Sequence, residues 1–455
     1  MGELPLLHSV RRRRRPWCGA LLLCAVATGL RAQGEVERFD PYRNLGPDGT
    51  TVLKPTLPED LPNPARWRYT PGGRILPGNI FERFLVSSFV APVFFREEDI
   101  GVGGGIAVTD LDFRNQGWRE LVNAVATASE EGQQRYRITW RRWLEHRAIP
   151  EGGIIRDERS TLTAGVEYSR TLTRRFYGFG SRTGEGDETS YTEELTALAL
   201  QLRRSVPLPG DDLLLGFRVG FEHHGLQRGR VSDVPSSDDL FPSVFADGDG
   251  VSQLWLAASA AIDTRDSIAN PYSGWRLGAG IAGVPVQSDL DAGAVISVDA
   301  SGAIQVPPLF HDGGAADEDH PPTDVIAFGG FVSSTTGDLP WYSLPSLGGD
   351  DTLRGYIQRR FTDRVAAHGS VEYRFAIVPR GVRFTDTLRI ERIGMALFYD
   401  FGTVSSRLGN LDRAAYLDSY GLGLRIGFQR EALFRVDLGF SEEDRLLTVS
   451  FGNAF

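Results

Sequence analysis

Beyond residue 24 the chain contains no cysteine; its two, Cys18 and Cys24, both lie near the N-terminus. No disulfide is therefore expected to hold the folded part together. After the first thirty residues it also lacks any apolar run long enough for a spanning helix, which excludes a helical membrane protein. The alanine, glutamate, lysine and leucine mix of helical proteins is thin. There is no basic excess either: the formal charge is -10 over 455 residues, so no nucleic-acid surface is expected. No Gly-x-Ser-x-Gly elbow, His-Glu-x-x-His pair or phosphate loop is present. These gaps argue against an enzyme, and no catalytic residue, cofactor or metal centre is expected.

Glycine and aromatics, by contrast, are abundant, with 53 glycines, 26 phenylalanines and 8 tryptophans. At the N-terminus, Arg11 to Arg15 precede the apolar stretch "WCGALLLCAVATGL", and "LRAQG" offers a cut after Ala32. That layout predicts an export signal over residues 1–32; a short anchor helix fits less well because the apolar stretch is short. Cys24 follows bulky Leu23, which argues against a lipoprotein signal. Cleavage would remove both cysteines, and with Glu3 and six arginines gone the charge would move from -10 to -15. Residues 33–87 are dense in proline, from Pro41 to Pro77, a spacing that blocks helices and central strands. They read as an extended periplasmic leader.

From residue 88 to the end, alternation at period two dominates. In "YGLGLRIGFQ", Tyr420, Leu422, Leu424, Ile426 and Phe428 share one face, while glycines, Arg425 and Gln429 share the other. "FRVDLGF" and "HGSVEYRFAI" repeat the pattern. A soluble sandwich also alternates, but its core must close within one domain. Repetition over nearly four hundred residues instead predicts an all-β fold, a transmembrane antiparallel β-barrel at 88–455 with lipid outside and a polar lumen. Strands are expected near 88–96, 100–111, 119–130, 135–146, 159–171, 189–206, 213–226 and 251–266. The second half gives 274–287, 293–309, 324–337, 366–379, 391–406, 416–429, 432–441 and 446–455. Those sixteen return the chain to its starting side, but the connections near 147–158 and 310–323 fall where turns should be short. The last strand is expected to carry a C-terminal signal, Phe451 and the terminal Phe455, with Asn453 as a departure from the usual apolar residue.

One stretch breaks the alternation: "GGDDTLRGYIQRRFTD", Gly348 to Asp363, between the eleventh and twelfth strands. Its "LRGY" resembles the sixth-loop signature of the BamA/TamA superfamily of outer-membrane assembly and secretion barrels, the bacterial surface antigen family. "FYDFG" (398–402) resembles that family's aromatic-x-Asp-x-Gly strand motif, and "DTRDSIANPYSGW" (263–275) resembles a segment leading into a barrel strand. The resemblance covers about residues 76–455. It implies a long loop folded into the lumen, with Leu353, Arg354, Gly355 and Tyr356 as its clamp motif. It further implies lumen-wall partners at Asp400, with Phe398 and Gly402 in the same motif, and at Glu372. Alternation independently puts Asp400 and Glu372 on the polar face, where an arginine fork can hold them. Family members carry periplasmic repeats before the barrel, whereas the leader here is too short for one, so this chain resembles a repeat-less branch.

Two functions are weighed. In one, the barrel assembles or inserts outer-membrane proteins or translocates polypeptide, with outer-membrane lipid, client polypeptides and a periplasmic partner as its contacts. In the other it is a passive, porin-like or structural barrel plugged by its own loop. Either places it in the cell outer membrane. Smaller features carry little: His223 and His224 face opposite sides of a strand, "FADGDG" (245–250) is read as a turn rather than a calcium loop, and "AADEDH" as an acidic loop. Trp118, Trp140, Trp143 and Trp275 are candidates for an interfacial girdle.

Overall fold

The computed structural model describes Leu21, Leu22 and residues 50–51, 53–71, 88–97, 99–149, 153–319, 321–383, 389–428 and 432–454. The predicted signal at 1–32 therefore lies, except for two residues, outside the described part. The first eight barrel strands are β1 (Ser88–Glu97), β2 (Gly101–Asp110), β3 (Glu120–Ser129), β4 (Gln134–Trp143), β5 (Thr161–Phe176), β6 (Thr189–Val206), β7 (Leu213–Arg228) and β8 (Ser252–Asp263). The second eight are β9 (Gly274–Gln287), β10 (Gly293–Val306), β11 (Asp324–Gly337), β12 (Val365–Val378), β13 (Arg389–Ser405), β14 (Leu417–Phe428), β15 (Ala432–Phe440) and β16 (Arg445–Phe451). Each strand pairs antiparallel with the next, from β1 through to β16. Among the described residues no register joins β16 back to β1. The edge of β1 is instead lined by Leu21 and Leu22, opposite Phe94 and Val93.

The alternation sorts as a barrel in lipid requires. Large apolar side chains point outward and stay exposed, among them Leu198, Phe217, Leu256, Ile281, Val298, Phe328, Leu397, Leu422 and Val449. Charged and hydroxyl groups such as Ser370, Glu372, Asp400, Arg425 and Asp437 are buried on the inner wall. A soluble protein would reverse this, because exposed apolar area costs roughly 25 cal/mol per Å² in water but nothing in hydrocarbon.

Two long turns on the same side of the barrel, after β4 and after β10, have a common purpose: both pack against the proline-rich segment 53–71. Trp67–Pro71 forms a strand beside Gly153–Asp157, which in turn pairs with His146–Ala148. Pro71 ends that edge strand, where a missing N–H does no harm. Leu61, Ile149 and Ile155 are buried together, with Leu57, Trp67 and Tyr69 packed on them. At its other end, Leu53 bridges Glu318, and Lys54 donates from N to Asp317 O (3.0 Å) and from Nζ to Ala316 O (2.6 Å). Between these anchors Arg147 pairs with Asp60 (2.8 Å), Asn63 donates to Asp211 (2.7 Å) and Arg66 pairs with Asp212 (3.1 Å). Residues 53–71 thus strap one mouth of the barrel between turns six strands apart. Half of the acidic loop "AADEDH" serves this strap, through Ala316, Asp317 and Glu318, and Glu318 also pairs with Arg380 of the β12–β13 turn at 2.5 Å.

Three expectations need correction. β16 stops at Phe451 instead of running to the C-terminus: Gly452 turns at φ +89°, and Asn453 Nδ2 donates to Ala269 O at 2.9 Å in the β8–β9 turn. A polar side chain finds that acceptor rather than lipid; Phe455 lies outside the described residues. Trp118 and Trp143 do not join a lipid girdle. Both are buried at the strap end of the barrel, Trp143 beneath the Arg156 guanidinium at 3.8 Å, where a cation over the ring outweighs the interface. Trp275 is exposed, and Trp140 Nε1 donates to Glu120 at 3.3 Å. Finally, "FADGDG" is not a simple turn: Phe245 to Gly248 close the short helix Pro242–Gly248, and Asp249 accepts from Leu226 N at 2.7 Å.

Truncating Ile155 tests the strap. Ile155→Ala is expected to cost the strap's sheet roughly 2–5 kcal/mol. Limited proteolysis should then cut between residues 50 and 71 while the heat-modifiable electrophoretic form of the barrel persists. Protection equal to the wild type would show that the strap is not held by this cluster.

Candidate functional site

The connection between β11 and β12, residues 338–364, turns back into the lumen as a short hairpin. Ser346–Leu347 pairs with Phe361–Thr362. Gly348 and Gly349 at φ +111° and +103° start its tip, a backbone that a side chain would strain. The tip is closed by Gly349 N to Tyr356 O (3.0 Å) and Tyr356 N to Leu353 O (3.0 Å). Leu347, Leu353, Tyr356 and Phe361 are buried against Ala366, Val404 and Leu417 of the wall. Leucine and tyrosine thus anchor the loop, and arginine is left to point at the wall.

Arg354 is fully buried and its guanidinium makes four hydrogen bonds to the wall. Nε and Nη2 grip Asp400 at 2.9 and 2.7 Å, Nη1 reaches Glu372 at 3.1 Å, and Nη2 reaches Ser370 Oγ at 3.2 Å. Its backbone N–H also donates to Asp400, at 3.2 Å. The guanidinium lies 3.5 Å from the Phe398 ring centroid, so the aromatic of "FYDFG" stacks on it. Burial works against the charged form, but Asp400 and then Glu372 and Asp437 outweigh it and hold the group above its ordinary value.

Strand register explains why these groups converge. Ser370, Asp400 and Ser419 lie side by side on β12, β13 and β14, and so do Glu372, Phe398 and Gly421 one row below. Glycines on the inner face then make space. A Cβ on Gly421 would sit 2.4 Å from the Phe398 ring; on Gly439, 2.2 Å from Arg354 O; on Gly402, 2.8 Å from Leu347. Gly355 itself passes Phe440 O so closely that its Cβ would be 2.6 Å away.

Several participants escape sequence reasoning. Glu372 is shared with Arg425 (2.8 Å) and Arg374 (3.3 Å), while Asp437 pairs with Arg425 and stands 3.6 Å from Arg354. Arg435 meets Asp351 at 3.0 Å. These residues occupy polar-face positions in alternating strands, but alternation cannot say which charge meets which. Arg360, at the loop root, pairs with Glu443 at 2.5 and 2.7 Å and donates to Thr183 O at 2.7 Å, between the rings of Tyr177 and Phe361. That joins the loop to two other extracellular connections. A third brace is aromatic: Trp341 and Tyr342 pack with Phe176, Tyr191 and Leu226 under the helix Pro242–Gly248. His224 stacks on Tyr342 and bonds Glu193 at 3.0 Å, while His223 faces out to Ser252. The segment "DTRDSIANPYSGW" forms the β8–β9 turn, with Asp263 paired to Arg265 at 3.0 Å and Asp266 accepting from Tyr272 N at 2.9 Å.

The Omp85 superfamily domain matches residues 149–453. Among solved structures the chain is similar to BamA from Haemophilus ducreyi lacking POTRA domains 1-3, at 12% identity and TM-score 0.45, over 81% of this chain and 69% of that one. It is similar to CdiB from Acinetobacter baumannii at 11% identity and TM-score 0.47, over 80% of this chain and 59% of that one. CdiB from Escherichia coli gives 11% identity and TM-score 0.50, over 80% and 62% respectively, a likeness of fold alone. The chain therefore spans less than two thirds of either CdiB chain. No curated protein matches it.

Two substitutions separate charge from shape in this site. Arg354→Ala strands Asp400 and Glu372 and should cost roughly 3–5 kcal/mol, seen as a lower temperature for loss of the compact electrophoretic form. Gly439→Val leaves every charge in place but is expected to push the loop tip off the wall, with increased protease access at residues 348–360. An unchanged melting temperature for Arg354→Ala would remove the clamp's structural role.

Proposed function

The chain belongs to the Omp85 superfamily, and from that premise we propose that it inserts or translocates polypeptide at the outer membrane, with Arg354 and its wall partners as a clamp that positions the tucked loop. Residues 1–32 are read as its export signal, 33–87 as the leader and 88–455 as the barrel. The observation that carries the proposal is the seam. Fifteen neighbouring pairings run continuously from β1 to β16, while among the described residues β1 and β16 share no register. An unpaired strand edge in hydrocarbon is costly, and an entering strand satisfies it. No reaction, nucleotide or metal is needed for such exchange, so the chain acts as a barrel and not as an enzyme. Clients are polypeptides, met in outer-membrane lipid, and a periplasmic partner is the natural supplier of them.

The second reading, a passive barrel plugged by its own loop, draws on the same tucked loop and on the strap across the periplasmic mouth. The two readings part on the seam. Mature chain without cysteine allows one cysteine on β1 and one on β16 to be introduced and oxidised. Locking is expected to abolish insertion of an unfolded outer-membrane barrel into vesicles, and a reductant to restore it. Insertion unaffected by the lock, together with large steady conductance in planar bilayers, would instead establish the passive barrel.

A further inference from the structure

The lipid-facing side of β11 is interrupted by a charge. Its outward positions run through Val332, Gly330, Phe328 and Ile326, and the next is Asp324, at the strap end of the strand. At a rise of about 3.3 Å per residue and a tilt of about 40°, Val332 to Ile326 spans roughly 15 Å of a band about 25 Å tall. Asp324 is nevertheless fully buried, because the β10–β11 turn folds outward over it. The carboxylate accepts from Leu309 N at 2.9 Å and from the Tyr373 hydroxyl at 2.7 Å. His311 brings Nε2 to 3.6 Å from it, and its Nδ1 accepts from Gly313 N at 3.0 Å. A carboxylate on the outer face is costly unless it is bonded, and one side of this turn supplies the bonds.

The other side of the turn is apolar and uncovered. Leu309 is 67% exposed and Phe310 65%. The Phe310 ring lies 5.4 Å from that of Phe375, which stacks on Tyr373 at 5.6 Å. Tyr373 and Phe375 share the outer face of β12 with Val371 and Ile377, both exposed to lipid. Leu309 and Phe310 thus continue the lipid-facing surface without a break, over the place where β11 presents an acid.

We propose that Leu309 and Phe310 form a membrane anchor, seated in the interfacial layer of the leaflet at the strap end of the barrel. Continuity with the outer face of β12 selects lipid as the occupant: a pair of large apolar side chains in water is costly, and hydrocarbon begins beside them. The turn is amphipathic, with Asp324 and His311 bonded beneath it and the apolar pair above. Its later residues, Ala316 to Glu318, hold Lys54 and Leu53 of the strap. One turn therefore joins the strap to the bilayer, whichever function the barrel serves.

The test uses the full chain carrying Cys18→Ser and Cys24→Ser, with Phe310→Cys introduced and labelled with nitrobenzoxadiazole. It is folded into phosphatidylcholine vesicles that contain no other protein, and the heat-modifiable form confirms folding. The label at 310 is expected to emit at shorter wavelength than in water. Phosphatidylcholine carrying a doxyl group near the head should quench it severalfold more than aqueous iodide does. The same label at Ala315→Cys, on the strap side of the turn, should show the reverse order. Leu309→Cys repeats the measurement on the neighbouring side chain and serves in place of a Phe310→Cys variant that does not fold. Labels at 309 and 310 that iodide reaches and the doxyl lipid does not would overturn the proposal and leave the patch to a protein partner. An equal response at 310 and 315 would overturn it as well.

Discussion

The grip of Arg354 on Asp400 is the contact on which the lumen's organisation depends. It is made by three donors of one residue, the Nε, the Nη2 and the backbone N–H, so it fixes the position and the direction of the loop tip together. A lysine in that place would supply a point charge but no fork, and would leave Glu372 and Ser370 to find other donors. Charges this deep are worth little as stabilisation compared with an apolar filling of equal volume. Their value is selectivity: only one placement of the loop satisfies all of them, and any other leaves an acid stranded.

Around that grip, backbone shape matters as much as charge. The inner face of β13 to β15 is low because Gly402, Gly421 and Gly439 carry no side chain, and the loop lies in the groove they leave. Phe398 enters the space over Gly421 on the neighbouring strand and offers its ring to the guanidinium. Glycine is usually a weak strand residue. Here the stability lost in the sheet is exchanged for close approach of a second backbone.

The barrel strands were readable in the sequence because lipid enforces period two on every one of them, and the polar face told which side Asp400 and Glu372 would take. The motif "LRGY" marked the loop, since it interrupts the alternation. What alternation could not give was partner choice. Arg374, Arg425, Arg435 and Asp437 occupy unremarkable polar-face positions, and their meeting depends on the stagger of four strands. The strap was illegible for a different reason: proline spacing announces extended chain but not where it lies. The two over-long turns after β4 and β10 are the available signal, and their length alone does not tell an unusual turn from a strand count off by a pair; segment 53–71 packed on both makes them unusual turns. Trp118 and Trp143 misled because an aromatic near a strand end suits an interface and a cation equally well.

Both ends of the lumen are closed by polar contacts on segments that are not part of the wall, and this has a mechanical consequence. The loop is fastened by Arg354 and Arg360, the strap by Arg66, Arg68, Lys54 and Arg147. Water entering the lumen competes for each of these bonds, so the cost of opening falls as hydration proceeds. An apolar plug would behave in the opposite way, since exposing it to water grows more costly with every side chain released. Under the proposed function, in which the closed lumen parts for a chain, the first kind of closure is the better suited. The apolar residues that do hold the loop, Leu353 and Tyr356, flank Arg354 in the tip itself and pack against Val404 and Leu417, so the apolar contact and the ion pair must part together.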